Sequence, residues 1–128
     1  MSSQALRNRY VTDSVATASP PRLLVMLYDR LVLDLMIAGQ SLGTGDPNAA
    51  STRICHAQEI LMELRASLDA TVWSGGPGLA ALYSYLLTEL VQANVSHDKA
   101  RLDHALSLIE PLRDAWREAA AQVAGAPA

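Results

Sequence analysis

Several groups of side chains in this sequence have the right types for chemistry, and their spacing decides whether they converge. His56, Glu59 and Glu63 recur at intervals of three and four, which puts them on one face of a helix. A Glu/His set aimed into a four-helix bundle is the ligand pattern of a di-iron site. The same segment, however, carries Ile54, Ala57, Leu61, Leu64 and Leu68 on its opposite side. The three polar residues are therefore expected to face water, and none of the apolar seams is expected to hold an inward carboxylate. His97, Asp98 and His104 form a second group. A metal needs at least three converging ligands, and Asp98 reads better as a helix-start residue that complements the dipole. Cys55 precedes His56, but adjacent helical side chains diverge by about 100° and make no thiol–imidazole pair. Gly75-Gly76-Pro77-Gly78 has no strand before it and is no phosphate cradle. The chain is expected not to be an enzyme, and to hold no metal and no cofactor.

The elements that carry these residues are helical. Apolar residues recur with helical spacing over about 20–42, 47–70, 78–95 and 98–123. Ser19 and the Pro20-Pro21 pair suit the first helix start, and Asp46-Pro47 the second. Gly43-Thr44-Gly45 and the run around Gly75 break the pattern. The second helix has its seam at Ile54, Ala57, Leu61, Leu64 and Leu68, with a side strip of Cys55, Met62 and Ala66. The third has a seam of Leu79, Leu82, Leu86, Leu90 and Ala93, widened by Ala80, Leu87 and Val91. The fourth carries one stripe from Leu102 to Val123, with Pro111 on its polar side. Short connections make consecutive helices antiparallel neighbours. The expected fold is all-α, an up-down-up-down four-helix bundle over 19–124. An N-terminal arm (residues 1–18) precedes it and a fraying tail (125–128) follows.

Composition narrows the function. The chain has 128 residues, half of them hydrophobic, with no Phe and a formal net charge of −3. That balance offers no footprint for nucleic acid. No cluster of basic residues suits an anionic membrane, and no apolar run approaches the ~20 residues of a membrane span. One cysteine excludes an internal disulfide. A polar start without an apolar stretch is no signal peptide, so a cytoplasmic protein is expected. What remains is excess apolar surface. The first and third helices show arcs wider than one bundle stripe, and the second has its side strip. Part of this is core; the rest reads as a groove between the second and third helices for a partner helix, with Met26, Met36 and Met62 suited to an adaptable lining.

Tyr10 with Val15-Ala16-Thr17-Ala18-Ser19-Pro20, Leu24-Val25-Met26-Leu27-Tyr28-Asp29, Ala57-Gln58-Glu59-Ile60 with Leu68-Asp69, Leu82-Tyr83-Ser84-Tyr85, Gln92-Ala93-Asn94 with Asp98, and Leu112-Arg113-Asp114-Ala115-Trp116 together carry a likeness. In their order and spacing the chain resembles the flagellar export chaperone family of FliS type, over nearly its whole length. Ser84 stands where that family usually has Asp, and Pro111 and the glycine-rich loop are departures.

The resemblance implies a bundle that binds the disordered C-terminal segment of flagellin, prevents its premature polymerisation and docks on the cytoplasmic domain of the flagellar export gate; some members also bind an anti-sigma factor. The residues assigned to the client groove or its walls are Ile54, Ile60, Leu61 and Leu64 of the second helix and Leu79, Leu82, Tyr83, Leu86 and Leu87 of the third. The resemblance also makes Tyr10, with Val11 and Val15, a self-capping arm over that groove. A monomer or weak dimer is expected. The rival readings are a homo-oligomeric helical bundle and a small helical metal-binding protein.

Overall fold

Burial of one apolar stripe per segment produces four helices: α1 (Pro20–Gly43), α2 (Pro47–Ser67), α3 (Gly76–Ser96) and α4 (Lys99–Gly125). They are seen in a computed structural model that describes residues 20–71 and 74–125. The expected arm and residues 126–128 lie outside the described residues. No strand occurs among the described residues.

The helix ends follow from local chemistry. Gly45, at φ 78°, takes the left-handed turn after α1. Asp46 Oδ1 then accepts the amide of Ala49 at 3.1 Å and starts α2. α2 stops at Ser67, earlier than its apolar pattern, because Leu68 turns to extended backbone. α3 begins at Gly76 rather than Gly78. A methyl group on Gly76 would lie 2.6 Å from the carbonyl oxygen of Ala70, so the chain passes itself here without room for a side chain. His97 closes α3 in the left-handed region. Asp98 Oδ1 accepts the amides of Ala100 at 3.0 Å and Arg101 at 3.4 Å, opening α4 as expected. Pro111 sits exposed inside a continuous α4, where its ring points to solvent rather than into the core.

Each helix packs on its neighbours in sequence, and α4 closes the ring against α1. Cross-helix pairs fix the antiparallel sense: Arg117 Nη2 donates to Asp29 Oδ1 at 3.0 Å between α4 and α1, and Arg101 Nη1 to Glu89 Oε1 at 3.0 Å between α4 and α3. α1 is held more extensively by its two neighbours than α3 is. The core consists mainly of Leu, Ile and Ala from all four helices. Each fully buried Leu or Ile contributes roughly 1.5–3 kcal/mol.

Two polar features interrupt this core. Asp34 of α1 is fully buried, contrary to the expectation of seams without an inward carboxylate. Its partners come from α2: Arg53 Nη1 donates to Oδ1 at 3.1 Å, and His56 Nδ1 hydrogen-bonds Oδ2. Arg30 Nε lies 3.8 Å away on α1. His56 therefore turns toward α1 instead of out to water. The second feature is a pair of buried phenols. Tyr28 of α1 and Tyr83 of α3 share a 2.6 Å hydrogen bond between hydroxyls, diagonally across the bundle. Burial raises the pKa of Tyr28, partly offset by its hydrogen bonds to Tyr83 and Trp116. Burial, then the hydrogen bond and charge proximity of Tyr28, push Tyr83 up strongly.

Asp34→Ala leaves Arg53 and His56 without their anion. It is expected to cost about 1–3 kcal/mol in urea unfolding, below the ~3–5 of a fully dry pair because both partners are partly solvated. Asp29→Ala, an exposed site, is expected to cost less than about 1 kcal/mol. The phenols set an alkaline limit. Unfolded tyrosines ionise near pH ~10, whereas Tyr28 and Tyr83 stay neutral above it in the fold. Their contribution is complete below pH ~10 and is lost as pH rises beyond it, because the unfolded chain releases protons that the native chain retains. Ultraviolet titration is expected to show these two phenolates only as helical circular dichroism collapses.

Candidate functional site

Two contacts mark the register of α2 against α3. Asn94 Nδ2 donates to Cys55 Sγ at 3.9 Å, and Arg65 Nη1 donates to Ser84 Oγ at 3.5 Å. Counting inward from both ends of this antiparallel pair places Gln58 opposite Val91 and Met62 opposite Leu87. The two frames lie ~15 Å apart along the helices. Apart from the half-buried Gln58, the side strips between and beside them are apolar: Met62 is 47% exposed, Val91 46% and Val95 76%. Leu87 is half-buried, and Cys55 and Ala66 are exposed. The side strips of the two helices therefore meet on the outside of the bundle as one shallow trough. Its one nucleophilic side chain is the exposed Cys55 thiol. The trough can take the apolar stripe of another helix.

The nine residues expected to wall the groove divide differently. Ile54, Ile60, Leu61, Leu64, Leu79, Tyr83 and Leu86 are all buried, none more than 8% exposed. They belong to the core, although Leu64, Leu79 and Tyr83 also line an open depression at the end of the bundle. Leu82 is half-buried and shares the α3 stripe of Tyr85 and Glu89, which faces α4. Leu87 alone of the nine reaches the trough. Met26 and Met36 are exposed on α1, so only Met62 of the three methionines belongs to the α2 and α3 strips. Tyr10, Val11 and Val15 lie outside the described residues.

A second depression lies at the end of the bundle where α1 begins. It has a volume of about 210 Å3 and is lined by Leu24, Leu64, Leu68, Leu79, Tyr83 and Trp116, with Ser67 and Asp69 at hand. The Tyr28–Tyr83 hydroxyl pair adjoins it. Asp69 is turned to its own loop: Thr71 donates to it from both amide and hydroxyl, which lowers its pKa.

Tyr85 and His104 meet edge to face, with 3.1 Å between the hydroxyl and Nε2. No set of three His, Cys, Asp or Glu side chains converges as a metal site among the described residues. No described helix is long and apolar enough to cross a membrane.

The family described as flagellar protein FliS matches residues 2–123. The chain is 30% identical over 118 residues to the flagellar secretion chaperone FliS of Bacillus subtilis, covering 90% of this chain and 88% of the relative. It is 30% identical over 117 residues to the protein of that name from Escherichia coli, covering 90% and 86%. It is 31% identical over 112 residues to that of Salmonella typhimurium, covering 84% and 82%.

Proposed function

The chain belongs to the FliS family of flagellar secretion chaperones, and from that premise we propose that it binds the C-terminal segment of flagellin in the cytoplasm, without catalysing a reaction, and hands it to the flagellar export gate. The observation that carries this reading is the apolar strip of the exposed Met62, Val91 and Val95 and the half-buried Leu87 along α2 and α3. A client that is disordered when free loses conformational entropy on binding, so its chaperone needs a large apolar surface to offset that loss. Burying about 1,000 Å2 of apolar area is worth roughly 25 kcal/mol gross, most of it cancelled by ordering and association.

The same surface is a liability in the free protein. The arm is the proposed shield. The end depression lies one helical turn from the point where the arm joins α1, since Leu24 lines it and α1 begins at Pro20. Tyr10, Val11 and Val15 are the side chains proposed to cover apolar surface until the client displaces them. Docking on the gate is proposed for the loaded complex.

Calorimetry with full-length flagellin, and with flagellin lacking its last ~40–50 residues, a length that spans a small domain as helix, tests the reading. Binding is expected only with the intact client. Met62→Asp or Val91→Asp is expected to weaken it at least tenfold while shifting stability by less than about 0.5 kcal/mol, since both sites are exposed. Equal affinity for intact and truncated flagellin would overturn the assignment.

A further inference from the structure

We infer that Arg65 is a charge-reading residue of the α2/α3 trough, pairing with a carboxylate on the amphipathic client helix that lies there. This rests on the client reading above and goes beyond it by naming a polar determinant. The other cations with defined partners are already matched to acids. Arg30 and Arg53 meet Asp34, Lys99 meets Asp103, Arg101 meets Glu89 and Asp98, and Arg113 and Arg117 meet Asp29. Arg65 meets only the neutral hydroxyl of Ser84, at 3.5 Å, among the described residues. It is exposed, and its head group reaches across to α3 rather than back to its own helix end. Met62 stands one turn away along α2, opposite Leu87, so a helix seated on those two carries its flank past the guanidinium.

A guanidinium with most of its N–H donors unengaged beside an apolar strip fits a carboxylate, which accepts two of them side by side. The opposite frame of the trough is the neutral Cys55–Asn94 contact. The trough therefore has one cationic end and one uncharged end, and this asymmetry gives the client helix a preferred direction as well as a register. An aspartate, a glutamate or a terminal carboxylate of the client supplies the same chemistry, and the test separates them.

The experiment measures binding of a flagellin C-terminal peptide to the full chain and to Arg65→Gln and Arg65→Lys, at low and at ~0.15 M salt. It includes peptides in which each acid in turn is changed to its amide, and one with an amidated C-terminus. Arg65→Gln is expected to weaken binding about two- to fivefold at ~0.15 M salt, with a larger loss at low salt and a flatter salt dependence. Arg65→Lys is expected to recover most of the salt dependence. One peptide change is expected to weaken binding to the wild type and to have no further effect on Arg65→Gln, which identifies the partner acid. Unchanged affinity and salt slope in Arg65→Gln would overturn the inference, as would equal losses for every peptide in both proteins. Met62→Asp serves as the control. If it weakens binding while Arg65→Gln does not, only the charge assignment fails; if neither has an effect, the client reading fails as well. Should Arg65→Gln fold poorly, the peptide series on the wild type decides alone, because at least one neutralised acid must then cost salt-sensitive affinity.

Discussion

Each helix of this bundle has one inward stripe, and the core uses all of it. Ile54, Leu61 and Leu64 from α2 and Leu79, Leu86 and Leu90 from α3 are closed off from solvent along the bundle. Apart from the depression at the end of the bundle, what the protein offers to another chain must come from the margins of the stripes. Close packing makes this strict, because a core at crystalline density has no slack into which a guest side chain fits. The margins of α2 and α3 happen to face each other on the outside, and that juxtaposition supplies the apolar surface.

A purely apolar bundle would tolerate sliding of its helices by a turn. The polar insertions restrict this. Asp34 can satisfy its carboxylate only where Arg53 and His56 stand, which ties α1 to one position on α2. The Tyr28–Tyr83 hydroxyl bond ties α1 to one position on α3. A buried polar group left without its partner costs more than the bond itself returns, so alternative registers are disfavoured more strongly than the native one is favoured. The trough inherits its order from these ties, since α3 is the helix least held by its neighbours.

Periodicity and punctuation made the helices legible before any coordinates. Asp46-Pro47 announced the start of α2, Gly45 the turn before it and Asp98 the start of α4. The side strips Cys55/Met62/Ala66 and Ala80/Leu87/Val91 were visible as well. Periodicity assigns an angle around a helix axis, not the neighbour found at that angle. Seam and strip differ by about 100°, one residue step, and either set can face a partner helix or water depending on where the next helix sits. That is why most of the expected groove residues proved to be core. Asp34 was misread for the same reason. No seam was expected to hold an inward carboxylate, and the Arg53 and His56 that make the burial of Asp34 tolerable lie on another helix. The one available signal was the i,i+4 spacing of Arg30 and Asp34, which is equally common on exposed helices.

The close passage of Gly76 against the carbonyl of Ala70 has a mechanical consequence for the trough. The corner between α2 and α3 is pinched to van der Waals limits and cannot be drawn tighter or slid. Arg65 and Ser84 lie nearest this corner and Cys55 and Asn94 farthest from it, so the cationic end of the trough is the end that this steric stop holds in place.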